Sequence, residues 1–582
     1  MKPKKENQSA PGSPLTPTPL PEAGRGNRTR VFLPSLLSAP LLWASFFPLD
    51  LGPLAFIALV PWLMLVKTQG VSNRRLYFAA FVGAFAFWLP ALQWIRVASP
   101  PMYASWIVIT LYCSLLSTLA MLILRRLDAF LHWPLAFTVP IVFVALDYFR
   151  AHFPTGFPFL KSIGAHQHFG FGWYTLGYTQ HATAPLLQLA DLGGVYLVTF
   201  LVCAFNGATA EWIQRMPWVR KKLRWPSDTR IGFFREMWTS AAATVSVMIG
   251  VAYGTQKLQH PDFEKGPRVT AIQGNFPQDL KMNNEDLLFK TYLDLCASAA
   301  KRADLVLWPE TCCPYKWYSV AAGTDPKSVD DKFLAMMKAR QGEFARLAVS
   351  EWKTNVLVGL SGVEWEKDKE WLYNSAVLFN AEGKEVDRYS KMHLVPFGEY
   401  VPFDLSWLQA FTPYSHKYSC RPGEHFTRFP FMVGDRQFTF GCLICYEDSD
   451  PDLARQYVRP ENGPPVDFLV NISNDGWFKG TEEHEQHLAI CRFRAVEARR
   501  TVVRAVNMGI SAVIDPDGNV MLPGDSWKES KNMEGMVSDR VKLDKRVSFY
   551  AVNGDILPAV CWGFLIVMDV AARVRRRFKR PS

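Results

Sequence analysis

Three residues that together could make an acyl-transfer site stand at expected strand ends, or in the loops just after strands, in the second half of the chain. Glu310 follows Leu305-Val-Leu-Trp-Pro309, and Lys391 sits in Tyr389-Ser-Lys-Met-His-Leu-Val-Pro-Phe-Gly-Glu-Tyr400. Cys445 closes Phe438-Thr-Phe-Gly-Cys-Leu-Ile-Cys445 and is followed by Tyr446, Glu447 and Asp448. A carboxylate can take the proton of a thiol, the thiolate can attack a carbonyl, and an ammonium can stabilise the oxyanion that forms. Each residue also has an ordinary reading: Glu310 as a helix cap, Lys391 as a solvated loop cation, Cys445 as a small core side chain. What sharpens the chemical reading is that all three occupy the same kind of position.

The elements that must position them are short apolar runs alternating with helical ones. Val269–Gln273, Leu305–Trp308, Val356–Gly359, Ser375–Phe379, Phe438–Cys445, Phe468–Ile472 and Ala512–Ile514 read as buried strands. Asp330–Trp352 and His484–Arg499 read as helices, the second gathering Leu488, Ile490, Cys491, Phe493 and Val496 near one face. This alternation over residues 268–545 predicts a layered α/β domain with its site at the carboxyl ends of strands. Seven of the ten cysteines fall here, at 296, 312, 313, 420, 442, 445 and 491. Cys442-Leu-Ile-Cys445 also fits a CxxC redox or metal pattern. Both residues lie in one expected strand, whereas redox pairs usually open a helix, and no second CxxC completes a zinc site. The sequence carries no phosphate-cradling glycine loop or cofactor motif, so neither a cofactor nor a metal is expected.

The first half has a different character. Residues 31–49, 76–95 and 97–124 are uncharged except at their borders, and 51–66, 129–146, 192–210, 237–254 and 556–572 are weaker runs of the same kind. Apolar all round and of spanning length, they read as eight transmembrane helices, seven of them within 31–255 and the eighth at 556–572. A transporter is the weaker reading of such spans, because few ionisable groups lie deep in them.

A net charge of +11, from 64 Lys+Arg against 53 Asp+Glu, would by itself suggest nucleic acid or an anionic surface as partner. The charge is segregated, however. Residues 1–30, 67–75, 125–128, 215–236 and 573–580 carry +4, +3, +1, +5 and +6, so the rest of the chain is acidic by eight. With residues 1–30 cytoplasmic, all five basic segments fall on the cytoplasmic side of an eight-span topology. This turns a nucleic-acid signal into an orientation signal, with both termini (1–30, a disordered Pro/Ser/Thr-rich tail, and 573–582) inside and residues 268–545 outside. The mean hydropathy of 0.00 averages two unlike halves. The first apolar run lacks a cleavage site and reads as an uncleaved signal anchor.

Against this reading, Trp308-Pro-Glu310, Tyr389-x-Lys391, Leu394-Val-Pro-Phe-Gly-Glu-Tyr-Val-Pro402 and Ile444-Cys-Tyr-Glu447 resemble the nitrilase-type domain of bacterial apolipoprotein N-acyltransferases. Gln273-Gly-Asn275, Asn471-x-Ser-Asn-Asp-Gly-Trp-Phe478, Thr155-Gly-Phe-Pro158 and Gly177-Tyr-Thr-Gln180 extend the resemblance from about residue 31 to the C-terminus. It implies an α-β-β-α sandwich joined to the membrane domain, with Cys445 as nucleophile, Glu310 as general base and Lys391 as oxyanion stabiliser. Glu399 would support the lysine, and Tyr446 and Glu447 would shape the pocket. The implied reaction moves an acyl chain from a phospholipid, through a Cys445 thioester, to the α-amine of an S-diacylglyceryl-cysteine apolipoprotein. The implied setting is the bacterial inner membrane, with the catalytic domain periplasmic and the protein a monomer. Two features depart from the pattern: Met282 stands where many members have Trp, and the segment 155–180 is longer than usual. A membrane-tethered amidase using the same three residues is the alternative within this chemistry.

Overall fold

The computed structural model describes residues 29–153, 170–219, 233–259, 262–396, 398–400 and 419–578. The N-terminal tail, Thr155–Pro158, most of the basic segment 215–236, Val401-Pro402 and the last four residues lie outside the described residues.

The apolar first half is helical: α1 (Thr29–Ser45), α2 (Asn73–Ala91), α3 (Met102–Leu131), α4 (Leu135–His152), α5 (Ala190–Arg215) and α6 (Phe233–Gln259). Within α3, α4, α5 and α6, and in a C-terminal helix, lie five stretches long and apolar enough to cross a membrane; Val31–Ser45 and Gly52–Leu63 are shorter apolar segments. The run expected at 51–66 is not one helix. It is divided into Gly52–Leu54, Ala55–Ala58 and Val60–Leu63, and Pro61, which has no N–H to give the ladder, stands at the break around Leu59. In hydrocarbon a broken helix must have its amides bonded by neighbours. Here the Leu59 amide donates to Asn206 Oδ1 at 2.9 Å and the Trp62 amide to Ser38 Oγ at 2.9 Å.

The second half contains two sheets. The first is built from β1 (Glu264–Gln273), β2 (Leu305–Leu307), β3 (Trp317–Val320), β4 (Asn355–Glu366), β5 (Lys369–Phe379), β6 (Glu385–Ser390) and the late strand Gly535–Leu543. The second runs from β7 (Arg428–Val433) through β8 (Arg436–Ile444), β9 (Phe468–Ser473), β10 (Val502–Val506) and β11 (Ala512–Ile514) to β12 (Val520–Met521). The late strand is β13. The β1–β2–β4 and β8–β9–β10 pairings are parallel.

Strand periodicity sorts the side chains into layers. Val269, Ala271, Leu305 and Leu307 join Phe440, Ile444, Val470 and Val503 in a core between the sheets. The alternate residues Ile272, Val306 and Val358 face outward, where α7 (Glu285–Ala300) and α8 (Asp331–Leu347) cover them. Leu443 and Leu469 face the other way, under α9 (Glu483–Ala498). The result is an α-β-β-α sandwich. Asp330 caps α8, its Oδ1 accepting from the Lys332 and Phe333 amides at 2.8 and 3.2 Å.

Helix α9 has two apolar faces where one was expected. Leu488, Cys491 and Ala495 pack on the sheet, whereas Ile490, Phe493 and Val496 belong to the core of the membrane helices. It is therefore a shared wall between the halves, and its end carries buried ion pairs across the junction. Arg499 Nη2 lies 2.6 Å from Asp191 Oδ2 and its Nη1 3.0 Å from Asp517 Oδ1; Glu497 Oε1 accepts from the Val195 amide at 2.9 Å. Asp191 and Val195 straddle a kink in α5 at Gly193-Gly194. Gly194 has φ +62°, and a Cβ there would lie 2.8 Å from the Tyr550 ring, so the kink admits only glycine without a shift. The last helix, α10 (Ile556–Phe578), returns to pack on α4 and α5.

Candidate active site

Glu310 follows β2 in a buried turn. The Trp308 amide still bonds the Leu357 carbonyl at 2.9 Å, and the next carbonyl out, that of Pro309, would be 2.2 Å from a Cβ on Gly359. Glycine at 359 thus lets β4 lie close against this turn. Lys281 Nζ secures the turn from the other side, donating to the Glu310 carbonyl at 3.1 Å and to Thr311 Oγ1 at 2.8 Å.

Lys391 begins the loop after β6, its amide bonded to the Asn374 carbonyl at 2.8 Å. Its side chain is 1% exposed and ends between two carboxylates, 3.2 Å from Glu310 Oε1 and 2.9 Å from Glu399 Oε2. Burial opposes the charge on this lysine, but Glu310 and Glu399 outweigh it and hold the ammonium well above its ordinary range. The two carboxylates are joined by a residue that strand and motif reading passed over. Asn374 Nδ2 donates to Glu310 Oε1 and to Glu399 Oε1, both at 2.6 Å. The only sequence signal was a buried-strand amide adjoining the expected strand Ser375–Phe379; in the structure β5 starts earlier and includes it. Glu399 Oε2 also accepts from the Val395 amide at 2.7 Å, closing the Val-Pro-Phe-Gly-Glu loop on itself.

Cys445 was expected to end its strand and instead stands one residue beyond it. Strand β8 stops at Ile444, and Cys445 adopts φ +55° at the head of a short 3-10 turn, Cys445–Ser449. This left-handed conformation leaves the ladder and turns the thiol out of the sheet. Cys442, by contrast, is fully buried between the sheets, and among the described residues no cysteine is in a disulfide. Burial, with Glu310 next in weight, pushes the Cys445 thiol up to about 12, while Lys391 and His487 pull the other way. At neutral pH the resting group is a thiol, so a base must take its proton as it attacks.

Glu447 is a strut. It accepts from Tyr389 Oη at 2.9 Å and from the Met392, His393 and Ile444 amides at 2.7, 3.0 and 2.7 Å. One carboxylate thereby ties the turn that carries Cys445 to the loop that carries Lys391. Tyr446 reaches the membrane half, its hydroxyl donating to the Gly170 carbonyl at 3.2 Å.

Behind the Cys445 turn lies a buried charged network. Asn471 Nδ2 donates to the Cys445 carbonyl at 3.1 Å and its Oδ1 accepts from Arg504, which also pairs with Asp448 at 3.2 Å and Asp475 at 2.8 Å. His487 lies between the same two aspartates, Nε2 2.8 Å from Asp448 and Nδ1 3.1 Å from Asp475, with Glu483 at 3.4 Å. Burial and Arg504 oppose its charge, yet the aspartates hold this imidazole well above its ordinary range, while burial and Asp475 raise Glu483 to about 8. Asp475, Glu483 and His487 are spaced closely enough to ligate a metal ion. Both histidine nitrogens already face carboxylates, however, and Arg504 already balances Asp475, so the group is accounted for as an ion-pair network.

Comparison with known proteins places these residues in context. Residues 38–208 match the family model described as apolipoprotein N-acyltransferase N-terminal domain, and residues 268–542 match that described as carbon-nitrogen hydrolase. The chain is 31% identical to the apolipoprotein N-acyltransferase of Caulobacter vibrioides, over 78% of this chain and 76% of that one. It is 29% identical to the protein so named in Geobacter metallireducens, over 95% and 96%, and 26% identical to that of Rhodopirellula baltica, over 89% and 92%.

Proposed function

Because this chain belongs to the apolipoprotein N-acyltransferase family, we propose that it completes lipoprotein maturation by acylating the N-terminal amine of a diacylglyceryl apolipoprotein, with a phospholipid as acyl donor and Glu310, Lys391 and Cys445 as the reacting set. The observation that carries the proposal is the Lys391 ammonium held between Glu310 and Glu399 beside the Cys445 turn.

The steps follow from the protonation states. Glu310 takes the Sγ proton as the sulfur adds to the ester carbonyl, and the Lys391 ammonium faces the developing oxyanion. Collapse expels the glycerol oxygen, which receives the proton from Glu310, leaving a lysophospholipid and an acyl thioester on Cys445. The acceptor amine then attacks the thioester, Glu310 takes a proton from nitrogen, and the sulfur leaves and is reprotonated. A thioester is more reactive than the ester it came from, and the amide formed is more stable than either. Glu399 and Asn374 hold Glu310 and Lys391 in place, and Glu447 with Tyr446 sets the turn of the nucleophile.

Eight helical segments crossing the membrane, including the broken stretch 51–63, put both termini in the cytoplasm and the sandwich in the periplasm, as a monomer in the inner membrane. The units are 31–255 and 556–572 in the bilayer, 268–545 outside it, and cytoplasmic tails at 1–30 and 573–582. Segregation of the basic segments supports this orientation. Both substrates are bilayer-anchored, and contacts such as Tyr446 to Gly170 hold the site against the membrane half.

The test is acyl transfer from phospholipid vesicles to a synthetic diacylglyceryl-cysteine peptide. The expected product is the N-acyl peptide, lost in Cys445→Ala. Ammonia release from small amides without lipid-dependent transfer would instead favour the tethered amidase.

A further inference from the structure

We propose that the protein carries a second lipid site, remote from the catalytic one, in which an anionic phospholipid fills a groove between α2, α3 and α10. The inference rests on the membrane-spanning reading of these helices and not on the acyl-transfer chemistry.

The fold brings together basic segments that are about 450 residues apart in sequence. Arg125 and Arg126 near the end of α3 and Arg573 and Arg575 of α10 line one cavity of about 1,380 Å³. Its walls below the arginines are hydrocarbon, with Ile123 and Leu127 on α3 facing Leu565, Ile566 and Val570 on α10. Helix α10 packs on α4 and α5, most of its surface faces outward, and the cavity separates it from α2 and α3. At the depth of the bilayer core such a gap is filled by hydrocarbon rather than water.

The rim decides which lipid. Arg573 is 75% exposed and pairs with Asp569 at 2.7 Å, which offsets one charge. Arg125 is committed to the fold, donating to the Leu65, Val66 and Thr68 carbonyls at 2.9, 2.8 and 3.1 Å. Arg575 lies over the Phe130 ring at 5.6 Å, bridging α10 to α3 above the apolar walls, and Arg126 is exposed beside it. Among the described residues, Asp569 is the one acidic side chain of the lining, set against four arginines and His132. Apolar walls under a cationic rim between helices fit a phosphodiester with two acyl chains and an additional negative charge. The site lies roughly 35 Å along α3 from the end near the catalytic domain, at 1.5 Å rise per residue from Met102 to Arg125, so it is not the donor site.

The test uses the full chain purified in detergent and ether-linked lipids, which cannot donate an acyl group. Native mass spectrometry is expected to show one retained phosphatidylglycerol in preference to phosphatidylcholine of the same chains, with thermal unfolding raised by the anionic lipid. Arg126→Gln/Arg573→Gln/Arg575→Gln should lower that preference by roughly tenfold or more while leaving acyl transfer intact. Equal retention of both lipids, or a preference unchanged in the triple variant, overturns the proposal. So does equal stabilisation by inorganic phosphate alone, or a dimer whose interface excludes lipid. Lipid retention and thermal unfolding are read without turnover, so failure here and failure of the acyltransferase assignment are distinguishable.

Discussion

Cys445 and Asn374 carry the most informative chemistry at the scale of single residues. With its pKa pushed up to about 12 by burial, Cys445 is a thiol throughout the neutral range. Its alkylation by iodoacetamide is expected to be slow at pH 7 and to rise about tenfold per pH unit through pH 10, without a plateau near 8.5. Lys391→Ala, which removes a cation that lowers the thiol pKa, should slow it further; quenched-flow labelling with peptide mass analysis reads both. Asn374 donates to two carboxylates from one amide. Asn374→Ala should cost about 2 kcal/mol of transition-state stabilisation, roughly thirtyfold in kcat/KM, with expression unchanged. Glu310 and Cys445 stood out as candidates because each follows a strand with a recognisable apolar run, whereas Lys391 follows the polar strand β6 and stood out only through the Tyr-x-Lys and Val-Pro-Phe-Gly-Glu string around it. Asn374, His487 and Arg504 did not, because an amide, an imidazole and a guanidinium inside buried elements acquire partners only when distant segments meet.

Among the elements, the decisive ones are two loops and one helix. The loop after β6 and the turn after β8 come from different sheets, and Glu447 joins them through four donors. Glu447→Gln sets an NH2 group against backbone amides and should destabilise the catalytic domain by about 3 kcal/mol, whereas Tyr389→Phe, which removes one donor, should cost about 1 kcal/mol. Thermal unfolding of the two variants side by side checks the ordering. Seven strands were legible from their apolar runs; β3, β6, β7, β12 and β13 were not, because each is partly exposed at or near a sheet margin, and the fully buried β10 was not, because Arg504 interrupts its short apolar run. Helix α9 was legible as a helix but not as a shared wall, since a second apolar face resembles ordinary burial until the membrane half is in place. The run 51–66 read as one continuous helix because composition is blind to what Pro61 does to the ladder.

The whole molecule is two cores joined by buried ion pairs. Arg499 pairs with Asp191 of the membrane half and Asp517 of the sandwich, all three largely buried. Arg499→Ala removes the near cation of Asp191, leaving Lys257 at 3.9 Å, while Asp517 keeps Arg546 at 2.6 Å, and should lower stability by about 3 kcal/mol. Added lipid should recover little of it, because the loss lies at the junction and not in the bilayer. Scanning calorimetry with and without lipid reads this.

If the acyl chain passes through Cys445, the mass of the peptide that contains it records the intermediate. Protein incubated with phospholipid and no acceptor, then digested under acidic conditions, should yield that peptide heavier by one acyl group and released by hydroxylamine. The adduct should disappear when the diacylglyceryl peptide is added. An unmodified Cys445 peptide under conditions that support transfer, or transfer persisting in Cys445→Ala, would rule out a Cys445 thioester.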